Sequence, residues 1–266
     1  NKIMQLCLLF LVVVSAASSV LADKWRVING EEAVQHEFPS IVSLQHQQMG
    51  HFCGGTLLNP TTVLTAAHCA FPAQHQYYMV SVVAGEHELS RSTGRERRSK
   101  VARIIVHPTF TSMHAIQYAT DVAILKLETP IREEEHIKYV DLPTNGEPTR
   151  PGDNCVVAGW GSMEPSGRSK APKLQKAGQH IISNQQCAQT FYPVYGNNAN
   201  ICAGRGYETI SACKGDSGGP LFCPVGGRNI QVGVVSYGKV PCAQPNAPAV
   251  YARVSHALSW IQRYAN

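Results

Sequence analysis

Short apolar runs rich in Val, Ile and Leu recur along most of the chain and are separated by clusters of Gly, Pro, Asn and Asp. Runs of this length and composition predict β-strands bounded by turns. Strands and helical segments do not alternate, which argues against a parallel α/β sheet. The predicted strands cover 41–44, 62–65, 80–83, 101–106, 122–127, 155–158, 179–182 and 231–237.

The end of the chain carries the one good helical pattern. Leu258, Ile261 and Ala265 fall on one helix face, and Ser255 stands at the expected N-cap. The turn-rich segment 144–153 is the best candidate for a linker, and it divides the chain into two β-rich halves.

A single long apolar run occupies residues 6–21. Its densest part, 6–14, is about half of the roughly 20 residues that a membrane-spanning helix needs. The run ends in small residues before Ala22, which is typical of a secretory signal peptide cleaved after that position. We therefore assign residues 1–22 to a signal peptide and expect secretion, an uncleaved anchor being the alternative.

The composition is that of a folded globular protein. The 266 residues are 44% hydrophobic and 15% charged, which is too apolar for a disordered chain, and 22 Gly and 16 Pro interrupt the sequence too often for a helical bundle. The net charge of +5 is spread along the chain rather than clustered, so nucleic-acid binding is disfavoured.

Eight of the nine cysteines follow the predicted signal peptide. An even number of cysteines in a secreted chain indicates disulfide bonds. No Cys-x-x-Cys pair or histidine-rich knuckle favours zinc instead. Eight cysteines allow about 105 pairings, so spacing alone leaves the connectivity open.

Three segments carry side chains suited to nucleophilic catalysis. His68 lies in Thr-Ala-Ala-His-Cys, Asp121 begins an apolar strand, and Ser217 lies in Gly-Asp-Ser-Gly-Gly-Pro. Each alone has an ordinary explanation, as a structural histidine, a strand cap or a turn. Because a serine hydroxyl needs a base within hydrogen-bond reach to act as a nucleophile, the joint occurrence of the three indicates a catalytic triad.

These motifs resemble those of the chymotrypsin-like serine endopeptidases of the trypsin family, and the resemblance extends from Val27 to the C-terminus. It implies an all-β fold of two antiparallel β-barrels, at 27–143 and 144–266, with a C-terminal helix and the active site in the cleft between the barrels. The rival class is a catalytically inert homologue that acts as a binding or adaptor protein. Such proteins usually lose a triad residue or the activation junction, and both are retained here.

The resemblance also implies the roles of the residues. Ser217 attacks the scissile carbonyl, His68 moves its proton to the leaving amine, and Asp121 orients the imidazole. The backbone N–H groups of Gly215 and Ser217 form the oxyanion hole. The paired cysteines are Cys53–Cys69, Cys155–Cys223, Cys187–Cys202 and Cys213–Cys242.

Residues 23–26 resemble a short activation propeptide. Cleavage after Arg26 by a trypsin-like protease would create an α-ammonium group on Val27, and by resemblance this group inserts beside Asp216 and orders the oxyanion hole. The alternative is that Arg26–Val27 is an ordinary loop bond.

The specificity pocket is predicted from the same resemblance. Ser211 stands at the expected floor, where an aspartate would select Lys or Arg, and Gly238 leaves the wall open. Ala249 would shallow the pocket, which favours Phe, Tyr, Leu or Met over Trp. Ser236, Tyr237 and Gly238 would pair with the substrate backbone as an added strand. Elastase-like specificity is the alternative, and the open wall opposes it.

Glu86 and Glu96 flank a loop that resembles the calcium site of the family. Calcium binding and two solvated glutamates are both open interpretations, and no cofactor is required. We expect protein or peptide substrates, an activating protease and protein inhibitors as partners, no nucleic-acid or membrane partner, and a monomer. No regulatory module is evident, which favours a digestive role.

Overall fold

The computed structural model describes residues 30–112, 120–144, 149–191, 198–204, 206 and 210–265. The predicted signal peptide 1–22, the propeptide 23–26 and the activation residues Arg26 and Val27 lie outside the described residues. Within the described ranges, no helix is long and apolar enough to span a membrane.

Strands dominate the secondary structure. Most of the predicted runs extend into longer strands, whereas the run 62–65 is matched without change and the strand within 122–127 begins one residue later. The strands are β1 (Glu31–Glu32), β2 (Ile41–His46), β3 (Gly50–Asn59), β4 (Thr62–Thr65), β5 (Val80–Ala84), β6 (Arg97–Val106), β7 (Ala123–Leu127), β8 (Asn154–Gly159), β9 (Gln175–Ile182), β10 (Asn200–Gly204), β11 (Pro220–Val225), β12 (Arg228–Tyr237) and β13 (Ala249–Arg253). The α-helices are α1 (Ala67–Ala70), α2 (Asn184–Phe191) and α3 (Val254–Ala265), and single 3-10 turns cover Phe71–Ala73 and Tyr77–Met79.

The strands form two closed antiparallel barrels. The first has the order β2-β3-β4-β7-β6-β5, and the second has the order β9-β10-β13-β12-β11-β8 and is closed by pairing of β8 with β9. Each barrel encloses its own apolar core, represented by Val42, Leu64 and Ile124 in the first and by Leu221 and Ile230 in the second. The predicted all-β fold of two antiparallel barrels with a C-terminal helix is therefore confirmed.

Both ends of the described chain cross the predicted boundary between 143 and 144. At the N-terminal end, β1 pairs with β9 of the second barrel, with Glu31 opposite Lys176. At the C-terminal end, α3 packs on the first barrel, because Val254, Ala257 and Ile261 join its core. The two barrels therefore exchange terminal segments, which ties them together.

The final helix begins earlier than the sequence predicts. Ser255 was expected as the N-cap, but the helix already includes Val254, which directly follows the last residue of β13, Arg253. Val254 is fully buried. Burial of this apolar residue, rather than a capping hydroxyl, sets the start of the helix.

Four disulfides cross-link the fold, and they join the same pairs that the resemblance implies. The bond between Cys53 and Cys69 connects β3 to α1, and the other three lie in the second half of the chain. Those three are Cys155–Cys223, Cys187–Cys202 and Cys213–Cys242.

Candidate active site

His68 follows β4 and Asp121 precedes β7. The two residues meet because these strands are paired. Strands β4 and β7 are antiparallel, with Thr65 opposite Ala123, so the chain leaving β4 and the chain entering β7 lie at the same end of the pair. The His68 Nδ1–H donates to Oδ2 of Asp121 over 2.8 Å, and the His68 backbone N–H donates to Oδ1 over 2.9 Å. With Nδ1 as the donor, neutral His68 presents Nε2 as its proton acceptor.

Asp121 is fully buried, and the second barrel supplies it with a further hydrogen bond. The hydroxyl of Ser236, on β12, donates to Oδ2 of Asp121 over 2.5 Å. A buried carboxylate is stable as an anion only when its oxygens accept hydrogen bonds. Three donors from two barrels therefore hold this carboxylate and, through it, the imidazole of His68.

The turn that carries Ser217 docks against the first barrel. The Ser217 carbonyl accepts a 2.8 Å hydrogen bond from the Gly54 N–H of β3. Gly218 has a left-handed φ of 77°, and a β-carbon there would overlap Thr65 Oγ1 and lie 2.6 Å from the Gly54 carbonyl oxygen. Only glycine fits at position 218. Its contact with Thr65 holds Ser217 beside β4, the strand that leads to His68.

The structure joins His68 to Asp121 and holds the Ser217 turn against the first barrel, but it does not form the Ser217–His68 hydrogen bond. Within the described part of the chain, Ser217 Oγ has no hydrogen bond to His68 Nε2, and the disulfide sulfur of Cys69 lies 3.7 Å from that nitrogen. Catalytic hydrogen bonds are often long without substrate and shorten in the reacting complex.

Two backbone N–H groups beside Ser217 are available for an incoming oxygen. The N–H groups of Asp216, Gly218 and Gly219 donate to backbone carbonyls at 2.9 to 3.0 Å. By contrast, those of Gly215 and Ser217 donate to no acceptor among the described residues. Gly215 adopts a φ of 101°, a conformation that L side chains rarely reach, so glycine is required to turn this N–H into the site.

Asp216 is enclosed by backbone. Its carboxylate accepts the N–H of Gly161 over 2.7 Å and the N–H of Cys213 over 2.9 Å, and the residue is 1% exposed. A β-carbon on Gly159 or on Gly161 would overlap the carboxylate. Burial raises the pKa of Asp216 to about 6, although the two hydrogen bonds lower it.

His51 is a site residue that the sequence did not suggest. Its Nε2–H donates to the Gly215 carbonyl over 3.0 Å, so Nδ1 must accept the Ser43 hydroxyl over 2.8 Å. Burial lowers the pKa of His51 to about 4, and the nearby charge of Lys170 lowers it further. The neutral imidazole fixes the Gly215 peptide, but a single histidine two residues before a cysteine carries no sequence signal for this role.

A cavity of about 210 Å³ adjoins Ser217. It holds several of the predicted pocket residues, and Lys214 and Lys239 line it as well. The other lining residues include Ala212, Cys213, Val235, Ser236, Tyr237, Gly238, Val240, Cys242 and Ala249. No carboxylate is among the described lining residues, so none of them supplies a negative charge to pair with a basic side chain.

Two of the predicted pocket residues, Ser211 and Gly238, have distinct surroundings. Ser211, the expected floor, is buried at 6% exposure and is not itself among the lining residues, whereas its neighbour Ala212 is. A β-carbon on Gly238 would meet nothing nearer than Cα of Ala249, at 4.0 Å. The wall at Gly238 therefore opens into free space.

A second cavity, of about 300 Å³, borders His68 and was not predicted. Its lining is largely apolar and includes Phe52, Met49 and the Cys53–Cys69 disulfide. Met49 is 65% exposed, which is unusual for so large an apolar side chain. The cavity therefore offers an apolar surface beside the His68 imidazole.

The two glutamates of the predicted calcium loop are differently placed. Both Glu96 oxygens accept hydrogen bonds from Ser92, Thr93 and Gly94. Burial acts to raise the pKa of Glu96, but these hydrogen bonds outweigh it and hold the pKa at about 2. Burial, followed by the charge of Glu96, raises the pKa of Glu86 to about 7. The Glu96 oxygens are satisfied by their own loop, so this conformation does not fit a calcium ion.

Comparison with known proteins agrees with the site geometry. The family model described as Trypsin matches residues 27–261. Tryptase of Mus musculus is 36% identical over 262 residues, covering 94% of this chain and 93% of that protein. The chain is thus a serine-type endopeptidase, and it belongs to the trypsin family.

Proposed function

We propose that the protein is a secreted endopeptidase that cleaves after Phe, Tyr, Leu or Met and is made as a zymogen activated by cleavage after Arg26. The observation that carries the specificity is the cavity beside Ser217, whose described lining contains no carboxylate and whose wall is open at Gly238. The four disulfides support secretion, because such bonds persist in oxidising compartments.

In the proposed reaction, the Ser217 hydroxyl attacks the scissile carbonyl while His68 Nε2 accepts its proton. The tetrahedral oxyanion accepts hydrogen bonds from the N–H groups of Gly215 and Ser217. His68 then protonates the leaving amine, and water hydrolyses the acyl-enzyme by the same proton transfers in reverse. Asp121 stabilises the imidazolium and fixes its orientation through the 2.8 Å hydrogen bond.

The lack of a carboxylate among the described lining residues argues against cleavage after Lys or Arg. A buried cation without a partner is strongly disfavoured, and the two lysines at this pocket add repulsion. Aromatic and large aliphatic side chains gain from burial instead. The methyl group of Ala249 reduces the space available to a Trp side chain. A contact of this size changes the binding free energy by about 1–3 kcal/mol.

The surroundings of Asp216 support zymogen activation. The carboxylate is buried and has no cationic partner among the described residues, which is a costly state for an anion. An α-ammonium group created at Val27 would supply that partner. Because Asp216 lies between Gly215 and Ser217, its position affects both oxyanion donors.

Peptide hydrolysis after limited tryptic activation tests the proposal. We would inactivate the trypsin and then compare chromogenic substrates that end in Phe, Tyr, Leu, Ala, Trp and Arg, with Ser217→Ala as the control for residual trypsin. We expect Phe or Tyr to be cleaved fastest and activity to vanish in the control. Preference for Ala or for Arg would overturn the proposed specificity.

The variant Arg26→Gln tests the activation step separately from the specificity. We expect Arg26→Gln to remain nearly inactive after the same treatment, because the new N-terminus does not form. Full activity of the Arg26→Gln protein, shown by mass spectrometry to be intact, would reject zymogen activation while leaving the proposed specificity standing.

A further inference from the structure

His36 and His136 form a histidine pair outside the active site. His36 lies in the loop between β1 and β2, and His136 lies in the segment that follows β7. Their ring centroids are 4.9 Å apart, with the ring planes inclined by 48°. Two segments distant in sequence thus bring two imidazoles into contact at a tilted angle.

The conformation of His36 is unusual. Its φ is 64°, in the left-handed region that only a few per cent of non-glycine residues adopt. Its Nε2 is buried and has no hydrogen-bond partner among the described residues. Because buried polar atoms are almost always paired, an unpaired imidazole nitrogen indicates a water or ion bound at that position.

The partner histidine also has a lone pair available. His136 Nε2 lies 2.8 Å from the carbonyl oxygen of Arg95, which can only accept, so the proton of the neutral ring is on Nε2. Nδ1 of His136 is then unprotonated. A hydrogen bond that fixes the tautomer in this way is the usual support of a metal-binding histidine.

The separation of the rings suits one shared ion. A zinc-bound imidazole nitrogen lies about 2.0–2.1 Å from the metal, which places two ring centroids about 5.2 Å apart at the tetrahedral angle. The 4.9 Å separation is close to this value. The rings are thus spaced as two imidazoles on one ion would be.

The charges around the pair are mixed. The charge of Glu135 favours a cation at His36, whereas the charges of His136, Arg95 and His87 oppose it. Glu134 lies 3.8 Å from His136, but Arg97 holds its carboxylate through two hydrogen bonds of 2.6 and 2.8 Å. Among the described residues, no third His, Cys, Asp or Glu offers a ligand atom within 4.8 Å of both histidines, so water completes the coordination.

We propose that His36 and His136 form a binding site for a divalent transition metal of the zinc class. Imidazole ligands select Zn²⁺, Cu²⁺ or Ni²⁺ over Ca²⁺ and Mg²⁺, which prefer oxygen. The site is separate from the catalytic cleft: in the described part of the chain, the one group of three potential ligands is Cys53, His68 and Cys69, whose sulfurs are bonded to each other.

Calorimetric titration of the Ser217→Ala protein with zinc chloride tests this site, since loss of the nucleophile prevents self-digestion. We expect His36→Asn and His136→Gln each to weaken one zinc site at least tenfold. Asparagine tolerates the left-handed conformation, so His36→Asn keeps the backbone. The matched controls are His75→Gln and His256→Gln, which remove exposed histidines elsewhere.

A zinc ion bound at His68 would persist in all four variants, so the difference between variants isolates the proposed site. We also expect zinc, but not calcium, to raise the unfolding temperature of the parent protein and to lose this effect in both pair variants. An isotherm that is unchanged in His36→Asn and in His136→Gln would overturn the proposal.

Discussion

The hydroxyl of Ser236 donates a 2.5 Å hydrogen bond to the same oxygen of Asp121 that accepts the His68 proton. The residues come from different barrels, and both are buried, at 4% and 0% exposure. The relative position of the barrels therefore acts directly on the orientation of the catalytic imidazole.

We expect Ser236→Ala to lower kcat about tenfold with little change in KM, because Asp121 loses one of its three donors. A buried hydrogen bond to a charged group is worth about 1.5–3 kcal/mol. Steady-state kinetics on a Phe substrate measures the effect, and Ser99→Ala, which removes another buried serine hydroxyl, is the matched control. An unchanged kcat would show that two donors suffice.

His51 makes the fold sensitive to acid. Its pKa in the folded protein is about 4, below the ordinary 6.5, so between these values the unfolded chain binds a proton that the folded chain does not. Stability therefore falls as the pH falls through this window. The loss amounts to about 2 kcal/mol between pH 7 and pH 4.5.

The variant His51→Gln should lack this loss, because glutamine does not titrate but its amide can still donate to Gly215. Urea unfolding at pH 7 and at pH 4.5, with every protein carrying Ser217→Ala, measures the loss of stability. The exposed His256→Gln serves as the control and should keep the parent's pH dependence. Equal acid sensitivity in His51→Gln would assign the effect to other groups.

Substitution of Gly238 should narrow the specificity pocket without disturbing the fold. A β-carbon there contacts only Cα of Ala249, at 4.0 Å, so a larger side chain projects into the cavity. We expect Gly238→Ala to reduce kcat/KM for Phe substrates and Gly238→Val to reduce it further, by about 100-fold. Cleavage of Ala substrates should be retained in both variants. Retained Phe cleavage in Gly238→Val would place the substrate elsewhere.

Lys214 and Lys239 should favour acidic residues next to the cleaved position. Both are exposed, line the pocket and have no ion-pair partner among the described residues. We expect peptides with a flanking Glu to be cleaved about two- to fivefold faster than their Gln counterparts at low salt. The advantage should vanish in 0.5 M salt (~4 Å screening length) and in the double variant Lys214→Gln/Lys239→Gln.

Millimolar calcium should not bind to the loop between β5 and β6. Its Glu96 oxygens already accept hydrogen bonds from four donors on Ser92, Thr93 and Gly94, and Glu86 is half-buried with a raised pKa. Calorimetry with calcium chloride checks this, with Glu86→Gln as the comparison. Binding that disappears in Glu86→Gln would show that the loop rearranges around the ion.

The first half of β3 shows where local patterns stopped being informative. No strand was predicted there, and glycines such as Gly54 and Gly55 weaken strand propensity. In the structure, a β-carbon on Gly55 would lie 2.9 Å from the Leu64 carbonyl, and one on Gly54 would lie 3.0 Å from Gly219. Close packing of backbone requires the glycines, and that packing involves residues far away in the chain.

The strand-rich class and the motifs around His68, Asp121 and Ser217 could be predicted, since each depends on residue type or on neighbours in the chain, and the family resemblance added the uncharged residues expected at the pocket. That Ser236 holds Asp121 and that His51 holds Gly215 emerged only from the three-dimensional fold. These contacts join residues 115 and 164 positions apart. Local periodicity carries no record of such contacts, because they form only when two barrels close and dock.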